Sequence, residues 1–159
     1  MKGINPGFYS LELTGAIVGL AEEFPESTAH ELVFQACNHA ATKFQGSATV
    51  VVLKLLEDLK IQAANLGDSG YALFHVKEDD TLEMYFRSPS QQKTHNFPFQ
   101  CGGDNGDDPE QAEKFLHEDV REGDVVLVFS DGFHDNVFDS GMHHCIEEYL
   151  YDGLVTSLS

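Results

Sequence analysis

The chain of 159 residues has no tryptophan and only nine lysines and arginines, against 27 aspartates and glutamates, for a formal charge of −18. So few cations exclude functions built on neutralising phosphate: the field repels nucleic acid and anionic membrane. It would repel a phosphorylated ligand too, unless bound cations reverse the sign locally. No stretch approaches the roughly 20 apolar residues needed to cross a bilayer. The opening MKGINPGFYSLEL has one lysine and no unbroken apolar block, unlike a secretory leader, and it lacks the Arg-rich, acid-poor character of a transit peptide. The expectation is an intracellular chain with no targeting segment. Three cysteines, Cys37, Cys101 and Cys145, are an odd number without CxxC spacing. They argue against a disulfide framework or structural zinc and read as buried or incidental thiols in a reducing compartment.

What is present is a globular composition. Apolar residues make up 42% of the chain, too many for a disordered one, and the length suits one domain, residues 1–159. No internal repeat is visible. Asn5 and Pro6 suggest a helix over residues 5–20, as capping residue and first helical position. A second helix is expected over 27–44, capped by Ser27, stopped by Gly46, with Leu32, Val33, Ala36, Cys37, Ala40, Ala41 and Phe44 on one face. ATVVVLKLL and LKIQAANL read as a hairpin turning at Glu57 and Asp58. After a turn at Gly67-Asp68-Ser69-Gly70 come YALFHV and LEMYFR, giving three or four antiparallel strands in sequence. Residues 88–117 hold three of the five prolines and a Gly/Asp cluster, and read as one long loop. Within it Phe97-Pro98-Phe99 is expected to pin the loop to the body. A strand over 124–129 and a helix at MHHCIEEYL close the chain. Strands bunched between helices predict an α+β fold, antiparallel sheet covered by helices.

Two strand ends are alike. IQAANLGDSG delivers Asp68 and VVLVFSDG delivers Asp131, each after an apolar strand and with glycine within two residues. Both are explained as ordinary turns, since Asp-Gly after an apolar run is a turn signal. The alternative is that neighbouring strands, about 4.8 Å apart, bring both carboxylates to one sheet edge. Carboxylates on rigid strand ends suit a hard cation such as Mg²⁺ or Mn²⁺, whose bound water is a nucleophile suited to phosphorus.

Other constellations are weaker. Asp104-Asn105-Gly106-Asp107-Asp108 lacks EF-hand order and reads as a solvated acidic loop. His143, His144 and Cys145 are adjacent on a helix and point in different directions, so they and His134 make a poor zinc set. Ser130, His134 and Asp139 lack the G-x-S-x-G elbow of a hydrolase.

ANLGDSGYALF, then QQKTHNFPFQ, then GDVVLVFSDGFHDNV resemble, in order and spacing, the metal-dependent (type 2C) serine/threonine protein phosphatases, over nearly the whole chain. The likeness is to the branch often found in mitochondria and plastids, which would be the compartment of a full-length parent. The resemblance implies an antiparallel β-sandwich flanked by helices with a dinuclear Mg²⁺/Mn²⁺ centre at one edge. It makes Asp131 a core metal ligand and Asp68 a ligand of a weaker ion, with no side-chain nucleophile: metal-bound water would attack the phosphoserine or phosphothreonine of a phosphoprotein substrate. Gln91, Gln92, Phe97 and Phe99 match the family's loop signature. On this reading the strand before Asp131 is apolar because both its faces are buried.

The chain departs from the family in lacking the Asp-Gly-x-Gly-Gly motif with its bridging aspartate and the closing Asp-Asp-Ile/Val-Thr. The expectation is therefore an incomplete form, with an outer strand of each sheet missing, weak ion binding and little activity. The alternative is a catalytically inactive, phosphatase-like interaction module.

Overall fold

Asn5 opens the first helix as expected: its Oδ1 accepts the Gly7 N–H (3.0 Å) and Pro6 occupies the first helical position. In this computed structural model, which describes residues 5–103, 106–137 and 139–156, α1 runs over Pro6–Glu23 and α2 over Ala29–Lys43. The cap of α2 is Thr28, not the expected Ser27, because only Thr28 stands three residues before Glu31. The two close a capping box in which each side chain accepts the other's main-chain N–H. Leu32, Val33, Ala36, Cys37 and Ala40 are buried, whereas Ala41 and Phe44 turn outward.

The strands are β1 (Ser47–Ala48), β2 (Val50–Leu55), β3 (Ile61–Leu66), β4 (Gly70–Val76), β5 (Leu82–Arg87), β6 (Gln92–Thr94), β7 (Phe97–Pro98), β8 (Cys101–Gly102), β9 (Glu113–His117) and β10 (Val125–Phe129). They are followed by α3 (Asp131–Asn136) and α4 (Asp139–Thr156). The hairpin of β2 and β3 is as expected, with Leu59 at φ 57 in its turn. The next step differs: β3 and β4 do not pair. One antiparallel sheet has the order β2-β3-β9 and the other β10-β4-β5, so the turn at Gly67 carries the chain from one sheet to the other. Alternation along β3 explains this. Ala64 and Leu66 pack under α1 and α2, while Ile61 and Ala63 face Tyr71 and Leu73 of the second sheet. Ala72 and Phe74, on the far face of β4, pack under Met142 and Ile146 of α4. The layers are helices, sheet, sheet, helices: an antiparallel sandwich flanked by helices, as the resemblance implied.

Residues 88–117 are not one loop. They hold a small β6–β7 hairpin, the β1–β8 pair and β9, which pairs with β3 from Ile61–His117 to Asn65–Glu113. Glu113, Lys114 and His117 take three of the five β9 positions and hid its alternation. Phe99 packs against the α1/α2 core, but Phe97 is exposed and its ring lies under Lys93 of its own hairpin. The expectation that β10 is buried on both faces also fails. Val125, Leu127 and Phe129 face α4, while Val126 and Val128 are 41% and 53% exposed. β10 and β2 are the edges of their sheets, and between them lies an open apolar groove of about 510 Å³ that also takes in Leu53, Leu55 and Leu59. Among the described residues no helix is long and apolar enough to cross a membrane.

Candidate functional site

Strand β3 ends in Leu66, and the chain turns at Gly67 with φ +114, a conformation that L side chains rarely adopt. Space requires glycine as well: a Cβ there would lie 2.4 Å from Thr49 Cγ2 and 2.6 Å from the Phe99 carbonyl oxygen. The turn presents Asp68, half-buried. In the other sheet β10 ends in Phe129, Ser130 serves as N-cap, and Asp131 opens α3. Asp131 therefore begins a helix and is not part of a loose turn. Gly132 is helical, a Cβ there would meet only Ser130 Oγ at an ordinary 3.8 Å, and its N–H donates to Asp131 Oδ1 (2.7 Å). A carboxylate in the first helical turn is favoured by the partial positive charge there.

Asp68 and Asp131 line one cavity of about 290 Å³, together with Asp135, Ser90, Gln92, His95 and Asn96. Asp131 follows β10, and Asp68 stands two residues before β4, the antiparallel neighbour of β10 in which Gly70 faces Phe129. They meet because β4 begins at the end of the sandwich where β10 ends, although β3, which leads into Asp68, lies in the other sheet. Asp135 was not singled out from the sequence, although the signal was there: four residues after Asp131 on a helix puts it on the same face. The hairpin residues His95 and Asn96 could not be found without the fold. Asn96, at φ 54, turns that hairpin.

The cavity is electrostatically unbalanced. Burial raises the Asp68 carboxyl above its ordinary value, Asp131 and then Asp135 raise it further by like charge, and main-chain hydrogen bonds only partly oppose them. Three carboxylates at one opening offer hard oxygen donors of the kind that Mg²⁺ and Mn²⁺ prefer. They are spread around the cavity, however. Among the described residues no group of three or more His, Cys, Asp or Glu is gathered closely enough to hold a metal.

The other candidates separate. Asp107 is tied by Lys93 (2.6 Å) and by the Gln100 N–H, a structural role for that acidic stretch, while Asp104 and Asn105 lie outside the described residues. His143 bonds the Asp139 carbonyl and stacks edge-on against Phe74, His144 pairs with Glu148, and Cys145 is exposed, so no zinc set forms. Asp139 pairs with Arg87 (2.7 Å), and the His134 side chain is not among the described residues.

The sequence and the fold have counterparts among known proteins. The chain is 34% identical over 153 residues to the probable protein phosphatase 2C 80 of Arabidopsis thaliana, which is 96% of this chain and 36% of that protein. It is 36% identical over 139 residues to the probable protein phosphatase 2C 55 of the same plant, 87% of this chain and 28% of that one. The X-ray structure of the photosystem II phosphatase PBCP superposes with a TM-score of 0.78 and 28% identity, covering 91% of this chain and 55% of that chain. In sequence and fold the chain belongs with the protein phosphatases 2C. No protein-family model matches it. It spans about a third of the length of these two protein phosphatase 2C relatives.

Proposed function

We propose that the chain carries part of the active centre of a metal-dependent protein phosphatase, in which Asp68 and Asp131 hold Mg²⁺ or Mn²⁺ and Asp135 faces the same ion. The substrate of the complete form is a phosphoserine or phosphothreonine in a protein. The observation that carries this reading is the meeting of Asp68, Asp131 and Asp135 on one cavity. The raised Asp68 carboxyl supports it, because crowded negative charge is what a cation offsets. When bound, the ion supplies positive charge to phosphoryl oxygens and Lewis acidity. The chain's own residues supply position: Asp68 from a turn with no steric freedom at Gly67, and Asp131 from the first helical position. The β6–β7 hairpin brings His95 and Asn96 to the rim.

Because the three carboxylates are not gathered, these 159 residues bind an ion weakly and turn over slowly. The test is Mn²⁺ titration of the chain, followed by paramagnetic resonance, with initial rates on an aryl phosphate and a phosphothreonine peptide. Weak Mn²⁺ binding lost in Asp131→Ala is expected, with little hydrolysis. A robust Mn²⁺-dependent rate abolished by Asp131→Ala would overturn the weak-activity reading, and no Mn²⁺ binding at all would overturn the site.

A second reading, a phosphatase-like module that binds a partner without catalysis, is favoured by the open groove between β2 and β10, where Leu55, Leu59, Val126 and Val128 remain exposed. Absence of both Mn²⁺ binding and hydrolysis selects it.

A further inference from the structure

Gln91 does not line the cavity, yet it makes four hydrogen bonds, every one to main chain. Its N–H donates to the Gly67 carbonyl (2.9 Å) and its carbonyl accepts the Phe99 N–H (3.1 Å). Its side-chain Oε1 accepts the Gly67 N–H (3.2 Å), and its Nε2 donates to the Gln111 carbonyl (2.8 Å). The partners fix the amide's orientation, since a main-chain N–H needs an oxygen and a carbonyl needs the NH₂.

Two of the four bonds embrace Gly67, the residue before Asp68. Beyond Leu66 the β2–β3 ladder has ended, and the register of β3 with β9 stops one residue earlier, at Asn65. Gly67 is nonetheless buried, so its N–H and carbonyl need partners. One residue supplies both, using its main chain for the carbonyl and its side chain for the N–H. Thr49 and the Phe99 carbonyl close on the remaining space around Gly67. The peptide that joins Gly67 to Asp68 is thereby held in one orientation.

We propose that Gln91 is the positioning residue of the candidate metal centre: its side-chain amide fixes Gly67 and so aims the Asp68 carboxylate into the cavity. This rests on Asp68 being a metal ligand, as proposed above. Outer partners of ligands typically change metal affinity by 10–100-fold when removed. The neighbouring Asn65 Nδ2, which donates to the Pro89 carbonyl, ties the same loop to β3 from the other side (3.4 Å). That bond holds the loop but does not touch Gly67.

Three variants of the 159-residue chain test the role. Gln91→Met keeps length and loses both side-chain bonds. Gln91→Glu keeps an oxygen for Gly67 and loses the donor to Gln111. Leu82→Ala, in the core beneath α4, is a control that lowers stability without touching the turn. In Gln91→Met, Gly67 amide exchange is expected to rise about tenfold relative to amides in the middle of β3. The Asp68 Hα–Hβ couplings should move from one rotamer to an average, and Mn²⁺ affinity should fall about tenfold. Gln91→Glu should retain slow exchange at Gly67 and a single Asp68 rotamer, and Leu82→Ala should leave both unchanged. Gln91→Met values that match those of Leu82→Ala would overturn the proposal. Should the wild-type chain bind no Mn²⁺, the metal reading falls on that result, and the exchange and coupling data still decide whether Gln91 aims Asp68.

Discussion

The hydroxyls of Thr49 and Ser69 lie 2.7 Å apart and join the two sheets at the end where the carboxylates emerge. Thr49 leads into β2 and Ser69 leads into β4, so this bond spans the point where the chain changes sheet. Thr49→Val keeps the shape and removes the hydroxyl. It should cost about 1 kcal/mol, the usual net worth of such a bond. Urea unfolding checks this: the midpoint should fall with an unchanged slope. An unchanged midpoint would mean that Ser69 replaces the bond with water at no loss.

Glycine substitutions should separate in sign. Gly67→Ala forces a side chain into a positive-φ position against Thr49 and the Phe99 carbonyl, and should cost about 3 kcal/mol. Gly15→Ala, on the exposed face of α1 with nothing within 4 Å, should gain about 0.5–1 kcal/mol by lowering the entropy of the unfolded chain. Thermal unfolding of both variants beside the wild type gives the comparison. Equal effects would show that the turn at Gly67 relaxes freely.

Much of the fold was legible in the sequence because it is carried by local signals. Asn5-Pro6 opens α1 where such a pair should, and the largely apolar runs of β2 and β3 are those of strands covered on both faces. The sheet to which each strand belongs was not legible. β3 and β4 follow each other as a meander would, and only the facing of Ile61 and Ala63 onto Tyr71 and Leu73 shows that they lie in different layers. β9 was hidden because Glu113, Lys114 and His117 interrupt its apolar residues, and pairing with β3 overrides that weak local preference. Asp68 and Asp131 stood out as acids after apolar strands. His95 and Asn96 reach the cavity only through the path of the β6–β7 hairpin, which no local pattern encodes.

Stability should depend on pH through Asp68. Its carboxyl is raised above the ordinary 3.8, by burial first and then by Asp131. The folded state therefore holds its proton to higher pH than the unfolded chain does, and stability falls as pH rises from about 4 toward the folded value. Asp68→Asn, which cannot ionise, should melt above the wild type at pH 7 and show no such advantage at pH 3. Mn²⁺ should narrow the gap at pH 7 by stabilising only the wild type. Calorimetry at the two pH values, with and without Mn²⁺, measures this. A variant less stable than the wild type at pH 7 would mean that Asp68 is held by favourable bonds, not crowded by charge.

Since Asp68 stands in the turn by which the chain passes from one sheet to the other, while Asp131 follows β10 of the second sheet, the gap between them answers to how the two sheets rest on each other. Ile61, Tyr71, Leu73, Phe86 and Phe115 act as the spacer. Trimming any of these buried rings or methyls would let one layer slide or settle against the other, and the carboxylates at the far end would move with it. The bite of the cavity is in this sense tuned from the interior, at residues that never touch an ion.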